Sequence, residues 1–141
     1  MKITTHSAEE TEKFAYEFAG KLKEPSVICL IGDLGAGKTA FTRGLARFFG
    51  IDKGVSSPTF TIMHSYMGSV NINHYDLYRI NDYDELTDIG FEEQTESGIS
   101  VIEWADNFME YMPEDRIVVK ISRTENDENE RVIETEGTDN D

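Results

Sequence analysis

Apolar positions recur along the chain with a period that switches between helix-like and strand-like, and the switches mark its elements. Lys2-Ile3-Thr4-Thr5 reads as a short edge strand, and Ser7-Ala8-Glu9-Glu10 places a cap candidate three residues before a glutamate. Phe14, Ala15, Phe18, Ala19 and Leu22 then fall on one stripe, which predicts a helix from about Ala8 to Leu22 packed on a sheet and ended by Glu24-Pro25. Ser26 to Ile31 is a continuous apolar, β-branched run, the signature of a buried strand. Lys38 to Phe49 returns to helical spacing with Phe41, Leu45, Phe48 and Phe49 on the buried side, and stops at Gly50. Thr61 to Tyr66 alternates, Met67-Gly68-Ser69 turns, and Val70 to Leu77 comes back, which predicts an antiparallel hairpin beside or within the sheet.

Between Asn81 and Glu96 the positions Tyr83, Leu86, Ile89 and Phe91 suggest one or two short helices on mostly solvated surface. Ile99 to Glu103 is a short apolar strand closing on a carboxylate, and Trp104 to Met112 reads as a helix that Pro113 ends. Arg116 to Ser122 and Arg131 to Glu136 alternate at period two across a polar connection, a terminal hairpin. Residues Gly137 to Asp141 should fray.

Between the Ser26–Ile31 run and the next helix stands Gly32-Asp33-Leu34-Gly35-Ala36-Gly37-Lys38-Thr39, which meets G-x-x-x-x-G-K-[ST] at every fixed position. The order strand, loop, helix is the context this pattern requires, and it predicts an α/β fold: a P-loop NTPase-like three-layer sandwich whose central mixed sheet includes antiparallel hairpins. Glycines let the loop adopt backbone angles that a Cβ forbids and let its N–H groups approach phosphate oxygens closely. The helix beginning there aims its free N–H groups, from Lys38 through Ala40, at the same anion. Lys38 is placed to reach the outer phosphates and the Thr39 hydroxyl to ligate Mg²⁺.

The chain has 141 residues and suits one domain, 1–141, with no internal repeat and no Pro-, Gly- or Ser-rich linker. Its formal net charge of −15 argues against unaided nucleic-acid binding, which depends on Lys and Arg neutralising phosphates. Any RNA role therefore needs a partner. No segment has signal-peptide character and no apolar run is long enough to cross a bilayer, so a cytoplasmic location with no membrane contact is expected. Cys29, the single cysteine, lies mid-strand and is assigned packing alone. The acidic C-terminal stretch reads most simply as solubilising surface.

Nucleotide hydrolysis needs more than a cradle: a carboxylate on the metal side, a group that orients water, and a segment that senses the outer phosphate. Glu103, at the carboxyl end of a buried strand, can bind Mg²⁺ directly or through water, or polarise the attacking water. Asp76, in His74-Tyr75-Asp76-Leu77-Tyr78-Arg79, is a second strand-end acid. Thr59, in Ser57-Pro58-Thr59, sits where a switch segment could fold over the nucleotide. His6, His64 and His74 lack zinc-site spacing, and His74 reads as a packing or hydrogen-bonding residue. Arg43 and Arg79 could stabilise transferred charge, or could be ordinary solvated arginines.

Taken together, the octet, Ser57-Pro58-Thr59-Phe60, His74-Tyr75-Asp76-Leu77-Tyr78-Arg79 and Val101-Ile102-Glu103-Trp104 strongly resemble the TsaE (YjeE) family over nearly the whole chain. That family comprises small bacterial P-loop ATPases that act with the TsaB–TsaD complex in making threonylcarbamoyladenosine in tRNAs that read codons beginning with A. The resemblance implies ATP and Mg²⁺ as cofactors, TsaD and TsaB as protein partners, and tRNA met only through that complex. It implies that Lys38 and Thr39 hold phosphate and metal, that Glu103 is the Mg²⁺-side acid, that Asp76 is the second essential carboxylate, that Thr59 is the first switch, and that Trp104 lies near the nucleotide. The sequence leaves two other functions open: a small-metabolite kinase, for which basic residues after the loop are few, and a nucleotide-binding adaptor without catalysis. A GTPase is disfavoured by the lack of an Asn-Lys-x-Asp segment.

Overall fold

A computed structural model describes residues 1–33, 35–56 and 62–137. Its elements follow in the order β1 (Lys2–Thr5), α1 (Ala8–Ala19), β2 (Ser26–Ile31), α2 (Lys38–Phe48), β3 (Met63–Tyr66), β4 (Ile72–Asp76), α3 (Tyr83–Asp88), α4 (Phe91–Gln94), β5 (Ile99–Glu103), a 3₁₀ helix (Asp106–Tyr111), β6 (Ile117–Arg123) and β7 (Arg131–Glu136). The strands form one sheet in the order β1-β7-β6-β2-β5-β4-β3. β6, β2, β5 and β4 run parallel in its middle, while β3 pairs antiparallel with β4, and β7 antiparallel with both β6 and β1. The mixed sheet with two antiparallel hairpins is the architecture the sequence predicts.

Each face of the sheet carries its own core because the central strands alternate strictly. Ile28 and Leu30 of β2, Ile99 and Val101 of β5, and Ile72 of β4 pack against Ala15 and Phe18 of α1 and Phe41 and Leu45 of α2. Val27, Cys29, Tyr75 and Ile102, one position out of step, face Leu86, Phe91, Phe108 and Met112 on the other side. Cys29 is fully buried there, consistent with a packing role. Burial pushes its thiol up to about 11.

Several features differ from the sequence reading. α1 ends at Ala19, and the chain continues to Leu22 through tighter turns in which the Lys21 and Leu22 N–H groups donate to Phe18 and Ala19. The 81–96 segment is more than solvated surface: α3 and α4 each bury one side chain, Leu86 and Phe91, and these roof the second core. Trp104 is not helical, having φ 59°, so the next helix starts only at Asp106, as a 3₁₀ turn broken at Phe108. The β3 strand begins at Met63, and the start of the predicted run at Thr61 lies outside the described residues.

Candidate functional site

The parallel strands all end on one edge of the sheet, and the polar residues of the α1/α2 face collect there. Along β4 the row on that face reads Ile72, His74, Asp76, and along its neighbour β5 it reads Ile99, Val101, Glu103. The face is apolar at its foot and acidic at its top. Asp76 and Glu103 are register partners, so two strand-end carboxylates stand side by side. The Gly32–Thr39 octet leaves β2 on the same edge, next to β5.

Gly37 caps α2 with φ 109°, a left-handed conformation that L side chains rarely adopt. Gly32 lies so close to β6 that an added Cβ would sit 2.6 Å from the Ile121 carbonyl oxygen. α2 also differs from the other α-helices in how it starts. Side-chain oxygens of Ser7 and Asp82 cap α1 and α3, and α1, α3 and α4 all carry acids in their first turns. α2 has neither a side-chain cap nor a first-turn acid, in a chain with 28 carboxylates. Its leading N–H groups are thus left for an external anion, and the dipole favours one.

Lys38, in the first turn of α2, is buried, and its Nζ stands 3.5 Å from Oε1 of Glu103. The same Nζ lies 4.8 Å from the centre of the Trp104 ring, a cation–π contact. Trp104 in turn leans on exposed Tyr78, ring centres 5.0 Å apart. The second oxygen of Glu103, Oε2, is 2.5 Å from Nε2 of His74. Burial alone would push the Glu103 carboxyl up, but the hydrogen bond and charge of His74, then the charge and hydrogen bond of Lys38, outweigh it and hold the group below the usual carboxylate range. Glu103 is therefore an ionised acid kept out of water between two donors.

Of the other residues singled out in the sequence, Asp33, Gly35 and Ala36 lie in the loop, Thr39 is half-buried beside Lys38, and Ala40 is buried. Asp76 Oδ1 accepts from the Tyr78 N–H at 2.9 Å. Leu34 and Thr59 fall outside the described residues. Arg79 is exposed just past β4. Arg43 is committed elsewhere, donating to Glu12 of α1 at 2.7 Å, so it fastens α2 to α1. No group of three or more His, Cys, Asp or Glu side chains suited to a metal occurs among the described residues. The oxygen donors along the edge, the Thr39 hydroxyl and the Asp76 and Glu103 carboxylates, are of the hard type that could hold a cation such as Mg²⁺.

Two arginines of the terminal hairpin reach the site and were not singled out in the sequence. Arg123, at the end of β6, donates to the Gly35 carbonyl at 3.1 Å, and Arg131, at the start of β7, donates through Nε to the Ala36 carbonyl at 3.0 Å. The signal that would have found them is the parallel pairing of β6 with β2, which brings the end of β6 beside the loop. A cavity of about 250 Å³ opens here, with Asp33, Lys38, Trp104, Asp106, Lys120 and Arg123 among its lining residues.

The chain is similar to known proteins in both sequence and fold. The family model for the threonylcarbamoyl adenosine biosynthesis protein TsaE matches residues 5–133. The chain is 41% identical over 132 residues to the tRNA threonylcarbamoyladenosine biosynthesis protein TsaE of Bacillus subtilis, a match covering 92% of this chain and 82% of that protein. It is 35% identical over 122 residues to the protein of the same name from Treponema pallidum, covering 86% and 90%. The crystal structure of Bacillus subtilis YdiB aligns with a TM-score of 0.75 at 34% identity, over 94% of this chain and 82% of that one.

Proposed function

Because this chain belongs to the TsaE family of threonylcarbamoyladenosine biosynthesis proteins, we propose that it is a Mg²⁺-dependent ATPase whose hydrolysis drives the tRNA-modifying TsaB–TsaD complex through its cycle. The observation that carries this reading is the meeting of Lys38 and Glu103, 3.5 Å apart and both buried, beside a helix start with no cap and no acid of its own. In this reading one cytoplasmic domain, residues 1–141, holds the whole site.

The bare N–H groups of α2 and the Lys38 ammonium bind the β- and γ-phosphates. Thr39, Glu103 and Asp76 are the residues that would hold Mg²⁺, whose charge would offset that developing on the phosphoryl oxygens. Lys38 is already out of water against Glu103 and Trp104, so it exchanges one anionic partner for another without a fresh desolvation cost. Glu103, ionised at neutral pH, helps to orient the attacking water. The net charge of −15 keeps tRNA off this chain, so the modification chemistry sits on the partner.

Phosphate release from Mg²⁺-ATP tests the proposal, measured alone and with TsaB–TsaD and tRNA, beside Lys38→Ala and Glu103→Ala. Release stimulated by the complex and lost in both variants is expected. Tight ATP binding without hydrolysis in any combination would turn the reading to a nucleotide-binding adaptor, and phosphate found on a metabolite would turn it to a kinase.

A further inference from the structure

His74 sits in the middle of β4, fully buried, on the row that leads from Ile72 to Asp76. Its neighbours on the adjoining strand are the apolar Val101 and the acid Glu103. An aliphatic side chain would fill such a position at no polar cost, whereas a buried imidazole must find hydrogen-bond partners. His74 finds one: Nε2 stands 2.5 Å from Glu103 Oε2, while Nδ1 is buried with no hydrogen-bond partner among the described residues. The entire polar investment of the ring goes to that carboxylate. Glu103 is divided accordingly, with Oε2 tied to the strand beside it and Oε1 facing Lys38.

We propose that His74 is a positioning residue: its Nε2–H holds Glu103 Oε2, so that Oε1 stays aimed at the Gly32–Thr39 loop when Lys38 leaves it for a phosphate. This inference rests on the ATPase reading above for its functional meaning, and on the hydrogen bond alone for its geometry. Among the described residues Glu103 faces two hydrogen-bonding partners, Lys38 and His74, and binding of phosphate removes the first. Without His74 the carboxylate would then be a buried anion with no fixed orientation, free to swing toward solvent or back onto Lys38. Outer partners of this kind typically change metal affinity or activity by about 10–100-fold.

The test compares His74→Met, which keeps bulk and loses the donor, with His74→Gln, whose amide nitrogen can donate from near the same place. Thermal melting first establishes that each is folded, and His74→Leu replaces His74→Met should the latter not fold. With the wild-type protein turning over Mg²⁺-ATP in the presence of TsaB–TsaD, the donor-free variant should lose about tenfold or more in kcat with KM little changed, and His74→Gln should recover most of the loss. Equal kcat in a folded donor-free variant overturns the inference. Nucleotide-free crystal structures of the same two variants made in a Lys38→Met background, which removes the lysine partner as phosphate binding would, supply a readout that needs no turnover. Glu103 should leave its wild-type orientation in His74→Met and keep it in His74→Gln, and an unmoved Glu103 in both overturns the inference. A wild-type protein that never hydrolyses ATP would sink the ATPase reading alone, because the crystal structures still decide the role of His74.

Discussion

Arg131 holds the carbonyl of Ala36, a residue 95 positions earlier, through a 3.0 Å bond from its Nε. The peptide that joins Ala36 to Gly37 is planar and trans, so its N–H points away from the arginine. The hairpin thereby fixes which way a loop amide faces, and Arg123 repeats the device at Gly35. Arg131→Met should lower nucleotide affinity several-fold and cost about 1.5–3 kcal/mol of stability, the net worth of a hydrogen bond from a charged donor. Calorimetric titration with Mg²⁺-ATP and a thermal melt would check the two effects, and unchanged affinity would mean that the loop keeps its shape without the clamp.

Trp104 occupies the left-handed region at φ 59°, where a Cβ is strained. Trp104→Ala and Trp104→Gly both remove the ring that touches Tyr78 and Lys38, but only glycine relieves the backbone. Trp104→Gly should therefore be the more stable of the two by about 1 kcal/mol, read as the difference between their urea midpoints. As the chain's single tryptophan, Trp104 should also change its emission when Mg²⁺-ATP is added. A flat titration alongside calorimetric binding would place the nucleotide away from the ring.

The Glu103 carboxyl lies below its ordinary value of 4.5 in the folded protein, since His74 and Lys38 together outweigh the opposing effect of burial. A carboxyl depressed on folding adds stability that is complete above the unfolded value and is lost as pH falls through the folded one. Acid should therefore weaken the wild-type protein more than Glu103→Gln, the stability difference between the two staying constant above about pH 4.5 and changing only below it. Parallel loss of stability in both, followed by urea unfolding at stepped pH, would show that other carboxylates account for the acid sensitivity.

Gly44 is the point where α2 crosses α1. An added Cβ would overlap the carbonyl oxygen of Glu12 and stand 2.8 Å from the Ala15 Cβ. Alanine gains up to about 1 kcal/mol in helix propensity over glycine, but a clash with backbone is not relieved by a rotamer change and overpacking costs about 1–3 kcal/mol. Gly44→Ala should accordingly lower the melting temperature. A rise would show that the helices can separate without penalty.

Much of this fold could be read locally. The strand ahead of the octet, Ser26–Ile31, and the final strand, Arg131–Glu136, fall where their hydrophobic patterns put them, and Lys2–Thr5 is the edge strand expected of it. What escaped was nonlocal. Pattern shows that Arg116 to Ser122 is a strand but not that it lies parallel to β2, and so Arg123 looked like a loop residue when it is a neighbour of the octet. The same holds for His74, legible as a hydrogen-bonding residue but without its partner until β4 was paired with β5. Trp104 escaped for the opposite reason: a local left-handed residue interrupts a segment whose apolar spacing suits a helix.

The edge strand β1 has β7 as its sheet neighbour, and Met1 and Thr135 exchange backbone hydrogen bonds across that seam. A ribosome delivers the octet early and the strands that steady it last. While the nascent chain lacks Arg131, the loop carbonyl of Ala36 has lost its holder and β1 has nothing to lie against. If the octet holds nucleotide as proposed, its full affinity therefore arrives with the closing of the sheet, late in synthesis, and a product that stops short of β7 would bind more weakly than the finished protein.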